Sequence, residues 1–329
     1  MDDDPYVVIS VVNWNGREIL SECLASLFGT TDYDNFDVIV VDNGSKDGSV
    51  KMVRDQFPGV KVVENETNKG FSTANNQSFK LALERGAEYL LLLNNDTVIT
   101  DPMWLRAMVG VAESDPDVGI VGCTVREPDG SIHYAGRHFP LSKHLFGDLT
   151  ERYAYNRYQR NYSPEGYEYV DDVTGAVYLI DAAVIESVGG LDEAYSPAYG
   201  EESDYSCRAW DAGFRVAYTD AVEVQHSRNE SSARLDPIYL DYVQVRNKTR
   251  LVATNYPLSW VVSAVPGLLR IVAGFFLQAE DGIRLREEFV EQPARSARYA
   301  IAYVLYFLFH AVNIALKRRS RADVATLLK

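Results

Sequence analysis

Over the first 125 residues, short apolar runs alternate with runs of helical period, and three of the apolar runs stop at turns rich in Asn and Asp. The alternation predicts a mostly parallel sheet with crossover helices. A strand buried on both faces reads as a continuous apolar run, while a helix packed on it shows a 3.6-residue period. The strands are expected at Tyr6 to Val12, Val38 to Val41, Val60 to Val63, Tyr89 to Leu93 and Val118 to Val121. Ile19, Leu20, Cys23, Leu24, Leu27 and Phe28 share one face of an amphipathic helix, and Phe71 to Arg85 is expected to be another. Strand one runs into Asn13-Trp14-Asn15-Gly16 and strand four into Asn94-Asn95-Asp96. Strand two runs into Asp42-Asn43-Gly44-Ser45, which can also cap a helix beginning near Lys46. Open α/β sheets bind ligands beyond the carboxyl ends of their strands, where these turns lie.

The pattern then breaks. From Leu141 to Glu168, Tyr153, Tyr155, Tyr158, Tyr162 and Tyr167 interleave with Arg152, Arg157 and Arg160, which predicts a long surface loop or lid. A strand-like run covers Val170 to Ile180 and a short helix reaches Val188. An acidic segment from Glu201 follows, then a last strand at Val222 to Val224 and, just beyond it, His226. Leu258 to Leu277 is apolar but interrupted by Pro266, Gly267 and Arg270, and the apolar run Ala300 to Leu316 ends in Lys317-Arg318-Arg319. Neither comfortably clears the roughly 18 to 20 uninterrupted apolar residues of a membrane span.

Charge narrows the partners. Lys plus Arg total 32 against 47 Asp plus Glu, a net charge of −15. That is the wrong sign for a phosphate-backbone binder, so nucleic acid is excluded as the expected partner. Cys23, Cys123 and Cys207 stand far apart without a C-x-x-C pair, which excludes a disulfide framework and a cysteine zinc site and points to a reduced, intracellular chain. The acidic start, Met1 to Asp4, carries no secretory signal pattern. With 9 Lys against 23 Arg, the Lys-poor, acid-rich balance resembles that of proteins from high-salt cytoplasms, although an ordinary acidic enzyme shares it.

Motif chemistry narrows the ligand. A dinucleotide site needs G-x-G-x-x-G after strand one and a P-loop needs G-x-x-x-x-G-K-[ST]; the chain has neither. It has instead, in order, Val12-Asn13-Trp14-Asn15, Val41-Asp42-Asn43-Gly44-Ser45-Lys46-Asp47-Gly48-Ser49, Asn68-Lys69-Gly70-Phe71 with Asn75-Asn76, and Leu93-Asn94-Asn95-Asp96-Thr97. These are followed by Thr174-Gly175-Ala176, Gly189-Gly190-Leu191-Asp192-Glu193, Glu201-Glu202-Ser203-Asp204 through Arg208 and Gly213, and His226. The series, spanning about residues 6 to 250, resembles glycosyltransferase family 2, the inverting enzymes of GT-A fold, and especially its rhamnosyl- and galactofuranosyltransferase-like members.

The resemblance implies a GT-A type, Rossmann-like nucleotide-sugar-binding domain over 1–250, with a donor half at about 1–125 and an acceptor half at about 126–250, followed by a helical, membrane-associated segment at 251–329. It implies transfer of a sugar from a nucleoside-diphosphate donor, UDP- or dTDP-linked, to a hydroxyl of a glycan or lipid-linked glycan, assisted by Mg²⁺ or Mn²⁺. A hard cation held by carboxylate oxygen neutralises the departing diphosphate. Asp96 stands as the last residue of the family's DxD-type motif, Asn94 replaces its first Asp with the loss of one charge, and His226 matches a later metal contact. A lone His after a strand also has structural uses. Asp42 is suited to accept from a pyrimidine N–H or ribose hydroxyl, with helix capping as its other role. Asn43, Ser45 and Asn95 belong to the same donor-binding turns, and Asn15 and Asn76 are implied to shape the pocket. Gly70 permits close approach of backbone to donor or a positive φ, as an ordinary turn would also require.

Glu201, Glu202 and Asp204 admit two readings: a charged first turn stabilising a helix dipole, or the carboxylate that takes the acceptor's proton. In the family's E-D-x-D pattern the second position is the base, which is Glu202 here; the change from Asp to Glu leaves Glu201 and Glu202 partly interchangeable. The tail suggests an interfacial or monotopic hairpin at the cytoplasmic face of the membrane, with two true spans or a dimer interface as alternatives. Arg246-Asn247 and Arg250 fall where related enzymes carry a Y-x-x-R-N-type helix. A sugar-nucleotide pyrophosphorylase is disfavoured by the missing basic phosphate loop, and a catalytically silent scaffold remains the rival of another class.

Overall fold

The computed structural model of the protein describes residues 4–137, 166–226 and 237–255, with residues 302, 305 and 306. These fall into two compact units, the first holding 4–137 and 166–226 and the second holding 237–255 and the three isolated residues. Both apolar tail runs lie almost entirely outside the described residues, as does the Tyr- and Arg-rich stretch up to residue 165.

The first unit is built on one sheet. Its strands are β1 (Val7–Asn13), β2 (Phe36–Asp42), β3 (Lys61–Glu64), β4 (Tyr89–Asn94), β5 (Thr97–Val98), β6 (Val118–Arg126), β7 (Ile132–Tyr134), β8 (Tyr167–Val170), β9 (Val177–Asp181) and β10 (Arg215–His226). The order is β3-β2-β1-β4-β9-β6-β10-β5, with β7 on the side of β6 and β8 on the side of β10. The β3-β2-β1-β4 half is parallel, β6 and β10 run parallel to each other, and β9 is antiparallel to both β4 and β6. Helices α1 (Arg17–Thr30), α2 (Ser49–Gln56), α3 (Phe71–Glu84), α4 (Trp104–Ser114), α5 (Ala182–Val188) and α6 (Glu201–Asp211) complete the unit.

Strand alternation divides the core between the two faces. Val7, Ile9 and Val11 of β1 pack with Leu20, Cys23, Leu24 and Leu27 of α1 and with Trp104, Leu105 and Met108 of α4. Val8 turns the other way, toward a cluster with Ala74, Phe79 and Ala82 of α3 and Tyr205 and Ala209 of α6. Each buried Leu or Phe side chain contributes roughly 1.5 to 3 kcal/mol, so these faces fix which side each helix takes. The chain leaves β1 for β2 and β3 and then returns to β4 on the other side of β1, so a topological switch lies between β1 and β4. That crevice is where open α/β sheets bind ligands.

All five strands expected up to residue 126 are present. Three differences have physical causes. The run from Val170 to Ile180 is two strands, β8 and β9, separated by a turn in which the Asp172 carboxylate is drawn to Arg137. The last strand runs over twelve residues, Arg215–His226: Val216, Ala217 and Tyr218 are buried in its first half, and the exposed Asp220 and Ala221 interrupt the apolar pattern before Val222. The helix after strand two starts at Ser49, so Asp42 does not cap it; Asp42 Oδ1 accepts instead from the Ser45 amide at 2.8 Å.

In the second unit, α7 (Pro237–Asn255) carries the Arg246-Asn247 pair, whose side chains are joined by a 2.9 Å hydrogen bond from Arg246 Nε to Asn247 Oδ1. Among the described residues no helix is long and apolar enough to cross a membrane.

Candidate active site

Amide side chains tie together the carboxyl ends of the central strands. Asn13 pairs with Asp42 in the β1–β2 ladder, which sets the two side chains side by side at the strands' carboxyl ends. Asn13 Nδ2 donates to Asp42 Oδ2 at 3.1 Å and to Ser45 Oγ at 3.2 Å, while Asn13 Oδ1 accepts from Asn95 Nδ2 at 2.8 Å. Asn13 thus spans the switch point. Asn15, at φ +52, occupies the left-handed region that Asn tolerates. Its amide donates to Ser45 Oγ at 2.8 Å and its Oδ1 accepts from the Lys46 amide at 2.7 Å, which locks the β1 and β2 turns together. Asn43 ties in the next turn, accepting from Asn65 Nδ2 at 3.0 Å and donating to the Gly70 carbonyl at 3.2 Å.

Gly70 does take a positive φ, +84°, and a Cβ on it would meet Ser196 Oγ at 2.9 Å. The close approach in the structure is to the Ser196–Pro197 segment, whose Pro197 carbonyl accepts from the Phe71 amide at 2.9 Å. Asn76 is likewise engaged with the chain itself. Its Nδ2 donates to the Leu191 carbonyl at 3.0 Å and its Oδ1 accepts from the Leu191 amide at 2.8 Å, pinning the Gly189-Gly190 turn.

Asp96 and His226 meet. His226 Nε2 stands 2.9 Å from Asp96 Oδ1 and 3.2 Å from Asn94 Nδ2, because β5 pairs with the end of β10 and sets Thr97 opposite His226. The 2.9 Å separation of Asp96 and His226 is that of a direct ion pair or hydrogen bond, and it is also close to the roughly 3 Å between neighbouring ligands of a six-coordinate Mg²⁺ or Mn²⁺. Among the described residues no group of three or more His, Cys, Asp or Glu side chains is gathered for a metal, so phosphate oxygens and water would have to complete the shell. His133 on β7 packs against His226 with the two Nδ1 atoms 3.2 Å apart.

The acidic segment forms the first turn of α6, as the dipole reading expects. Its members have different surroundings. Asp204 accepts from Arg208 Nε at 2.9 Å and from the Tyr195 hydroxyl at 3.3 Å, and Arg208 also donates to the Val188 and Gly190 carbonyls. Glu201 is 3% exposed, and its Oε2 has no hydrogen-bond partner among the described residues. Burial, and then the charge of Glu202, hold its pKa well above the carboxylate range. Glu202 Oε2 accepts from the Gly200 amide at 3.2 Å. Burial and then the Asp172 charge push its pKa up to about 7, against the opposing pull of Arg137. A Cβ on Gly175 would stand 3.7 Å from Glu202 Cβ, and the Ala176 carbonyl accepts from the Asn94 amide at 3.0 Å. The Thr174-Gly175-Ala176 turn therefore joins Glu202 to the end of β4.

The structure brings Asp42, Asn43, Ser45, Asn15 and Asn95 into one hydrogen-bonded set and Asp96, Asn94 and His226 into another. Four residues that sequence reasoning did not single out take part. Asn13 was signalled by its place in the Val12-Asn13-Trp14-Asn15 motif. His133, Arg137 and Asp172 lie in irregular or short edge segments where no periodicity marks a side chain as buried.

Comparison with known proteins gives the family and the fold. The family model described as "Glycosyl transferase family 2" matches residues 6–183. An uncharacterized protein, y4gI, of Sinorhizobium fredii is 30% identical over 247 residues, covering 72% of this chain but 26% of its own length. The chain thus spans about a quarter of that relative. An N-acetylglucosaminyl-diphospho-decaprenol L-rhamnosyltransferase of Mycobacterium tuberculosis is 28% identical over 247 residues, 70% of this chain and 78% of that one. Among solved structures, the mannosyltransferase PcManGT from Pyrobaculum calidifontis in complex with GDP-Man and Mn²⁺ is similar with a TM-score of 0.55 at 17% identity, covering 94% of this chain and 90% of that one. S. aureus TarS 1-349 in complex with UDP-GlcNAc is similar with a TM-score of 0.54 at 16% identity, covering 98% and 90%. The fold is of GT-A type. Matched by the family model over more than half of its length, the chain belongs to glycosyl transferase family 2.

Proposed function

We propose that the protein is an inverting glycosyltransferase that moves a sugar from a nucleoside-diphosphate sugar to an acceptor hydroxyl, with Glu202 as the base. The observation that carries this reading is the Glu202 carboxylate, poised near neutrality beside the turn that joins it to the donor end of the sheet. A base works best when its pKa lies near the working pH. As the acceptor oxygen forms its bond to the anomeric carbon, Glu202 takes the hydroxyl proton and the bond from that carbon to the diphosphate oxygen breaks with its electron pair. One displacement inverts the anomeric centre.

The other residues bind and orient. Asp42, held by Asn13 and the Ser45 amide, accepts from the nucleoside, and Asn43, Ser45, Asn15 and Asn95 keep the turns around it in place. Asp96 and His226 would hold a divalent cation, with Asn94 beside them. Such an ion, when bound, supplies Lewis-acid neutralisation of the diphosphate. Glu201 tunes its neighbour, Asp204 anchors α6 through Arg208, and Asn76 sets the Gly190 turn.

For the substrates, the name of the mycobacterial relative supports a deoxyhexose donor and a lipid-linked glycan acceptor, and the UDP-GlcNAc complex of TarS supports a UDP-linked donor, with dTDP the other candidate. A lipid-linked acceptor would place the protein at the cytoplasmic face of a membrane, with the tail at 251–329 as its contact. The rival reading, a silent scaffold, rests on Asn94 and on Glu in place of Asp at 202; the Asp96–His226 pair and the poised Glu202 favour the enzyme.

A panel of nucleotide sugars with Mg²⁺ or Mn²⁺ tests the proposal by thermal shift and by release of nucleoside diphosphate. One donor is expected to stabilise the fold by a few kcal/mol near saturation and to be turned over. Stabilisation by a donor with no turnover on any glycan or lipid-linked acceptor would favour the scaffold.

A further inference from the structure

Asp172 is fully buried in the turn between β8 and β9, and its carboxylate is the hub of the contacts that seat the start of α6. Its Oδ2 accepts from Ser203 Oγ at 2.8 Å and its Oδ1 from Ser206 Oγ at 3.1 Å, so it grips two residues that follow Glu202 on α6. Arg137 forms an ion pair with the same carboxylate and also donates to Ser203 Oγ at 2.5 Å. The backbones agree with the side chains: the Arg137 and Asp172 amides donate to each other's carbonyls at 2.9 and 3.1 Å. From β9, the Tyr178 hydroxyl lies 2.7 Å from Ser206 Oγ and donates to the Glu202 carbonyl at 3.3 Å.

A buried ion pair is weak evidence for stability, since well-packed apolar side chains often do as well. This one holds the residue next to the carboxylate proposed as the base. We propose that Asp172 and Arg137 are positioning residues for the reaction: their ion pair seats the start of α6, and with it Glu202, through Ser203 and Ser206. The inference rests on the reading of Glu202 as the base. Other charged or titratable groups around Glu202 are Glu201, Asp204 with its partner Arg208 on the same helix, and Tyr178 from β9. A negative charge close by in a buried site disfavours the Glu202 anion, and a positive one favours it. Asp172 and Arg137 therefore act on Glu202 with opposite signs, as burial plus Asp172 raise its pKa and Arg137 lowers it.

Opposite signs make the test specific. In the full chain labelled with δ-¹³C glutamate, the Glu202 carboxyl resonance is assigned by its loss in Glu202→Gln and titrated by NMR. Asp172→Asn is expected to lower its midpoint by about one pH unit and Arg137→Gln to raise it. Arg137→Lys, which keeps the charge, is expected to stay near the wild type. A single variant that strands one buried charge can fail to fold, so the double variant Asp172→Asn/Arg137→Gln is measured as well; its midpoint is expected between those of Asp172→Asn and the wild type. A midpoint unmoved in Asp172→Asn, or one raised above the wild type in the double variant, overturns the role of the pair. The same proteins are carried through a pH series of kcat/KM. A rising limb that follows the NMR midpoint supports both assignments, whereas a limb that stays while the resonance moves removes Glu202 as the base.

Discussion

His226 Nε2 lies 2.9 Å from Asp96 Oδ1, which brings the end of β10 against the turn after β4. If the two side chains hold one divalent ion, removing the charged ligand removes most of the site. Asp96→Ala is expected to weaken Mn²⁺ binding in the presence of a nucleoside diphosphate by more than about tenfold, with an unchanged far-ultraviolet circular dichroism spectrum. His133→Ala, which takes away the ring packed on His226, is expected to cost about tenfold to a hundredfold, as partners of metal ligands do. Titration calorimetry reads both, and undiminished Mn²⁺ affinity in Asp96→Ala would put the ion elsewhere.

Glu202 also couples stability to pH. Its pKa is raised to about 7 in the fold from 4.5, chiefly by burial. Below about pH 4.5 both states hold the proton and nothing is lost; as pH rises through 7 the fold must accept an anion at a half-buried site and loses stability. Glu202→Gln is therefore expected to match the wild type at pH 4.5 and to exceed it at pH 8, by at most about 3 kcal/mol at 1.4 kcal/mol per pH unit. Urea melts at the two pH values decide this. An equal difference at both would assign the effect to packing.

Asn76 and Gly190 form a coupled pair. A Cβ on Gly190 would fall 2.4 Å from Asn76 Oδ1, the atom that accepts from the Leu191 amide. Gly190→Ala is expected to cost about 1 to 3 kcal/mol by overpacking, and Asn76→Ala about the same by leaving the Leu191 peptide unpaired. The double variant should cost clearly less than the two single losses combined, because the clash disappears with the amide. Full additivity would refute the coupling.

The net charge of −15 has its own consequence. If the acid-rich, Lys-poor surface is adapted to salt, the melting temperature is expected to rise between about 0.1 M and molar KCl, as the Debye length shortens from about 10 to 3 Å. A flat or falling curve would make the composition incidental.

The parallel half of the sheet was legible because strands such as Tyr89–Asn94 are buried on both faces and carry no polar residue until they end at the site. The same punctuation made Asp42, Asn94 and Asp96 visible as residues at strand ends. What joins them was not. Whether Asn76 faces a ligand or the Leu191 peptide depends on a contact between α3 and a distant turn, and a local pattern holds no information about it. The Asp172 turn was hidden for the converse reason: Val170, Val173 and Ala176 are buried on either side of it, so the segment reads as one apolar strand although Asp172 breaks it to meet Arg137. The neighbouring carboxylates of α6 were legible as a cluster, but only burial and partners separate an anchoring Asp204 from a poised Glu202.

Turnover of the two adjacent glutamates tests the central claim most directly. Glu202→Gln and Glu201→Gln are assayed for sugar transfer with a donor at saturation, and donor affinity is measured separately, with Asp204→Asn as the control for loss of the α6 anchor. Glu202→Gln is expected to lower kcat by something on the order of 10² to 10⁴ with donor affinity barely changed, and to be the most severe of the three. Near-normal turnover in Glu202→Gln alongside an inactive Glu201→Gln would contradict the assignment and make Glu201 the base.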